Sequence, residues 1–315
     1  MRQIILKVAC AFAAVVFAAS GGAAEDMTSA SCAVLWGYVP GFLGGYEVNQ
    51  TISVEQAGWC VTQGVALLGQ DVNQPNISAT TLRIRAGALA QTAAPEDEFH
   101  ELEVDATGVR VAPKISDRGI SDKLRTFLRV QVADVSFVIR WSEKTGAVQL
   151  RQVRLALADG TTLTFGADIA GAQLGSLQAA QLSLLVARLT VLDMALVTKG
   201  QGLRPLVDAL AQDMAPRGTA NARAIDAARA IVLSGIDDLP DAAFSGPSKA
   251  ALRAWVEALP QPAGRLAIAL RAEAGIGAVQ VALAALKDKP VGAAALDTLF
   301  NGATVRVDWQ PGSVQ

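Results

Sequence analysis

Three features of the chain predict an α+β fold. Apolar and polar residues alternate with period two over most of the first 198 residues, apolar spacing changes to three and four after Lys199, and short alternating runs return beyond Pro260. The expected architecture is a long, bent antiparallel β-sheet in the N-terminal two thirds, packed with a C-terminal helical and ββαβ-like portion. Three segments follow: a signal peptide over residues 1–24, an antiparallel β-rich portion over 25–198, and an α+β portion over 199–315 packed on the sheet.

The first segment is read from Arg2 and Lys7, the nearly continuous apolar run Val8–Ala19, and the small residues Gly22-Ala23-Ala24 before Glu25-Asp26. That order of basic start, short apolar core and small residues is the pattern of a secretory signal, with cleavage expected after Ala24. An apolar core of about a dozen residues falls short of the roughly 20 that a membrane-spanning helix needs, so no integral membrane span is expected after cleavage.

Strands are predicted next, beginning with Val61–Leu68 and a polar turn over Asp71–Asn76. In Thr80–Leu89, Leu82 and Ile84 share one face while Arg83 and Arg85 share the other, as in a strand with one wet face. Leu102 and Val104 alternate with Glu101, Glu103 and Asp105, a turn is expected at Thr107-Gly108, and Val109–Val111 continues the sheet. Leu128, Val130 and Val132 keep even register and Val135, Phe137, Ile139 and Trp141 keep odd register, which predicts a bulge near Ala133-Asp134. Tight turns at Glu143–Gly146 and Asp159-Gly160 then join Val148–Leu157 to Thr161–Ile169 as a meander. Leu177–Val197 reads as one or two further strands, with Leu189 and Val191 in one register.

Beyond Lys199-Gly200-Gln201-Gly202, the spacing of Leu203, Leu206, Val207, Leu210 and Met214 predicts an amphipathic helix ended by Pro216. Thr219–Leu233 is a second helix. A third is capped by Gly246, has Pro247 in its first turn, buries Leu252, Trp255, Val256 and Leu259, and stops at Pro260. Strands are expected at Leu266–Leu270, Val279–Leu283 and Val305–Trp309, with a short helix at Ala293–Phe300 closed by Asn301-Gly302.

Composition excludes some partners. The net charge is −2, becoming −4 when Arg2 and Lys7 leave with the signal, and basic residues are scattered among carboxylates. No basic patch marks nucleic acid or an anionic membrane surface as a partner. Of three cysteines, Cys10 lies in the apolar core of the signal. Cys32 and Cys60 remain, and in an oxidising compartment they are expected to form a bridge, two buried free thiols being the alternative.

Little of the chain carries chemistry. The single histidine, His100, sits among Glu98, Glu101 and Glu103 and is read as a polar residue, because a lone imidazole supplies neither the paired ligands of a zinc site nor, without a G-x-S-x-G elbow, a serine triad. No serine stands three residues before a lysine, which excludes the S-x-x-K nucleophile. The acidic pairs Asp237-Asp238 and Glu96-Asp97-Glu98 read as solvated runs, and Gly200-Gln201-Gly202 and Gly275-Ile276-Gly277 as turns. No catalytic residue, metal site or cofactor is assigned. One stretch is unusual: Trp36, Tyr38, Phe42 and Tyr46 crowd between the cysteines, together holding both tyrosines. This is either an apolar contact loop pinned by the bridge, suited to a partner or an acyl chain, or a cap on the open end of the core, the favoured reading.

The order Asn76-Ile77-Ser78-Ala79, Thr81-Leu82-Arg83-Ile84, the long apolar strands up to Val197, the helix entry from Gly200 to Leu210, and Pro262–Leu270 after a Trp255 helix resembles the AsmA-like and related envelope proteins of Gram-negative bacteria. The resemblance is one of pattern over about three quarters of the chain and carries no functional residue. It implies bent antiparallel sheets, a place in the periplasm, and lipid or an envelope protein as partner. The functional expectation is a non-catalytic periplasmic protein offering an apolar face along its sheet, with a secreted hydrolase of dispersed active-site residues as the alternative.

Overall fold

The computed structural model describes residues 27–42, 46–49, 54–71, 74–86, 100–114, 122–142, 144–173, 183, 186–199, 203–215, 221–278, 280–281 and 293–312. The anticipated signal peptide lies outside them. The fold is α+β, with six helices named among the described residues and antiparallel pairing between named strands. Contacts divide the chain into two compact units, Met1–Ala156 with Ala172–Ser183, and Leu157–Gly171 with Leu184–Gln315. The strands over 162–170 and 188–199 group with the C-terminal helices in the second unit.

In the first unit, α1 (Ser29–Phe42) precedes β1 (Tyr46–Asn49), β2 (Val54–Gln56), β3 (Trp59–Gly69), β4 (Asn76–Ala86) and β5 (His100–Ala112). Then come α2 (Asp122–Val130), β6 (Ala133–Ser142) and β7 (Ala147–Leu157). Both β1 and β2 pair with β3, β1 along Ala66–Gly69 and β2 along Trp59–Val61, so two short strands line one edge. Cys60, Ile84, Val104 and Phe137 stand directly opposite one another across β3, β4, β5 and β6. Facing residues share a side of the sheet, and all four are buried, as are Ala86, Leu102 and Ile139 in the next row. The alternation read at Leu82–Ile84 and Val135–Trp141 is thus the core face.

Two regions predicted as loop and strand are helical. Residues around Trp36, expected as a loop, form α1, where Thr28 Oγ1 accepts a hydrogen bond from the Ser31 amide at 3.2 Å and satisfies an amide of the first turn. Leu128 and Val130, expected in a strand, end α2, whose Leu124, Phe127 and Leu128 lie at helical spacing between Asp122 in the first turn and Arg129 in the last. Val130 points to solvent, so the change of register read at Ala133-Asp134 marks the passage from helix to β6. The irregularity itself sits on the neighbouring strand. The ladder shifts between Ala106 and Val109, Gly108 has φ +64°, and its amide donates to Asp134 Oδ1 at 3.0 Å. Thr107-Gly108 is a bulge inside β5 rather than a turn.

The second unit holds β8 (Thr162–Ala170), β9 (Arg188–Lys199), α3 (Arg204–Met214), α4 (Asn221–Asp237), α5 (Gly246–Glu257), β10 (Ala263–Gly277), α6 (Ala293–Leu299) and β11 (Ala303–Pro311). Its strands pair in the order β8-β9-β10-β11. Leu266, Leu270, Ala272, Ala303, Val305 and Val307 form the core with Ala243 and Phe244, against which Leu252 and Trp255 of α5 and Phe300 pack. The cap of α5 is Ser245, not Gly246: its side chain accepts from the Ser248 amide. Helices α3 and α4 bury alanines, Ala209 and Ala211 in α3 and Ala224 and Ala228 in α4, while Met214 is exposed.

Of the ββαβ-like portion, the described residues show β10, α6 and β11. Val281, expected in a strand, lies in a helical turn and is exposed, because the Gly277 amide donates to Gln280 Oε1 at 2.9 Å, as at a helix start. Leu189 and Val191 fall on opposite faces, since the β8–β9 register shifts between Asp168 and Ile169. The part of Leu177–Val197 over residues 177–182 and 184–185 lies outside the described residues.

Candidate functional site

The candidate site is an apolar strip on β8 and β9. Leu163 faces Leu196, Phe165 faces Met194, Ala167 faces Leu192 and Ile169 faces Leu189 across the ladder. The same side continues through β10, where Leu196 faces Leu266 and Leu192 faces Leu270 of the core. Leu189, Leu192 and Leu196 pack against that core, whereas Leu163, Phe165, Ile169 and Met194 continue the surface beyond it and remain half-buried. The opposite side carries Thr162, Thr164 and Asp168 on β8, and Asp193 and Arg271 paired at 2.9 Å on β9 and β10. A row of aliphatic and aromatic side chains with no polar group among its inward residues suits an acyl chain or another apolar ligand. The expected apolar row from Leu128 to Val197 is narrower than its sequence suggested: in β6, Phe137 and Ile139 are buried and offer no open face.

Charge gathers on the outer face of the first unit. Arg83 and Asp105 approach to 3.5 Å, Arg85 and Glu103 to 2.7 Å, and Arg140 bonds Glu101. Each pair is formed by residues directly opposite in the ladder. The guanidinium carbons of Arg83 and Arg85 stand 4.6 and 4.9 Å from the centre of the Trp59 ring. Acids and bases alternate here, and the cross-strand pairs tie β4, β5 and β6 together. Sequence reading placed Arg83 and Arg85 on the wet face but gave no sign of Trp59 beneath them, because that contact depends on the β3–β4 register.

The remaining sequence candidates are dispersed. Cys32 and Cys60 form a disulfide with Cα atoms 5.4 Å apart, pinning α1 to β3, and both are buried. Trp36 lies one turn beyond Cys32 and is buried, with Leu35 fully enclosed beside it. The side chains of Tyr38 and Phe42 lie outside the described residues. Tyr46 begins β1 and is half-buried; partial loss of hydration raises its phenol above the ordinary value. Trp36 and Tyr46 therefore belong to a helix and a strand. His100 stacks on Trp141 with ring centroids 5.1 Å apart, an arrangement that fixes the ring against the sheet. No group of three or more His, Cys, Asp or Glu residues disposed to hold a metal occurs among the described residues, and no described helix is long and apolar enough to cross a membrane. The class defined by the fold is an α+β protein built on antiparallel strands. No family model and no curated protein matches the chain.

Proposed function

We propose that this chain is an exported, non-catalytic protein of the Gram-negative cell envelope that holds a lipid acyl chain on the β8–β9 strip. One observation carries the reading: Leu163, Phe165, Ile169 and Met194 continue a closed apolar core outward yet stay half-buried. Apolar surface left contiguous beside a core is costly in water, and a ligand that covers it recovers about 25 cal/mol per Å². The Val8–Ala19 run and the small residues up to Ala24 support export into the periplasm, and the sequence likeness to AsmA-like envelope proteins points the same way. Native mass spectrometry of the full chain, purified in mild detergent from an envelope fraction, tests the proposal. The expected result is a co-purifying phospholipid or fatty acid that Phe165→Asp and Met194→Asp lose, while Thr164→Asp on the opposite face retains it. Lipid-free wild-type protein in repeated preparations, or equal retention by all three variants, would overturn it.

A further inference from the structure

We draw no further inference here: the strongest candidate, the half-buried apolar strip of Leu163, Phe165, Ile169 and Met194 on β8 and β9, belongs to the site already described, and nothing in the structure shows what covers it.

Discussion

Tyr46 opens a strand of only four residues at the edge of its unit, and partial burial there makes the charged phenolate harder to form. A phenol whose pKa is raised by folding contributes stability that is fully present below the ordinary value of about 10 and is lost as pH rises through the raised folded value. Urea unfolding at pH 9 and at pH 11 is therefore expected to show a larger loss for wild type than for Tyr46→Phe, which removes the titrating proton. Equal losses would mean that desolvation at Tyr46 does not couple to folding. At this scale the sequence is uneven. The Cys32–Cys60 pairing is legible because Cys10 falls in the apolar run read as a signal, which leaves these two thiols as the expected pair. The stacking of His100 on Trp141 is not, because the two residues are 41 positions apart and meet only through the β5–β6 register.

Among the elements, long alternating strands are the most legible and short apolar runs the least. Val135, Phe137, Ile139 and Trp141 keep one register over the length of β6, whereas Leu128 and Val130 offer too few positions to separate period two from the helical spacing that includes Leu124 and Phe127. The bulge in β5 is likewise hidden, since Thr107-Gly108 has the composition of a turn. Its geometry makes a prediction. Gly108 has φ +64°, and an added Cβ would meet Thr80 Oγ1, so Gly108→Ala combines a disfavoured backbone conformation with a collision. Its expected cost is at least about 1 kcal/mol in chemical denaturation. A neutral substitution would show that the bulge is not a fixed part of the sheet.

At the other end of the chain, β11 is protected along its outer edge by the segment leading into α5. The Val305 amide donates to Ala243 O at 2.8 Å, Phe244 bridges Val305, and the Val307 amide donates to Ser248 Oγ at 3.1 Å. Unpaired edge amides are templates for intermolecular strand pairing, and here a turn carbonyl and a side-chain hydroxyl occupy them. Ser248 is 2% exposed, so Ser248→Ala leaves the Val307 amide buried without this acceptor. A loss of about 1–3 kcal/mol is expected from such an orphaned donor, against about 1 kcal/mol for the simple cap substitution Ser245→Ala. Thermal unfolding of the two variants side by side distinguishes them, and a smaller effect for Ser248→Ala would remove the edge-sealing role.

Across the whole molecule, fold class follows from patterning but activity does not. Alternation and helical spacing mark many residues redundantly, so a few errors at Leu128 or Val281 leave α+β intact. A site depends on a handful of side chains brought together by register, and on the sheet this chain's charged residues meet as cross-strand pairs that neutralise one another. The compartment makes the broadest prediction, because it joins the N-terminal pattern to a structural bond. The disulfide closes a separation of 28 residues, worth about 3–4 kcal/mol in the chain-entropy model, and it needs an oxidising environment to form. Full-length chain expressed in a Gram-negative host is expected in the periplasmic fraction, beginning at Glu25 and two hydrogens lighter than its reduced mass. The same chain without residues 1–24, retained in a reducing cytosol, is expected to keep Cys32 and Cys60 as thiols and to unfold at lower urea, with the difference abolished by Cys32→Ala/Cys60→Ala in both forms. A product still starting at Met1 and found in the cytosol would defeat the export reading, and exported protein with both thiols alkylated after denaturation would defeat the Cys32–Cys60 bond.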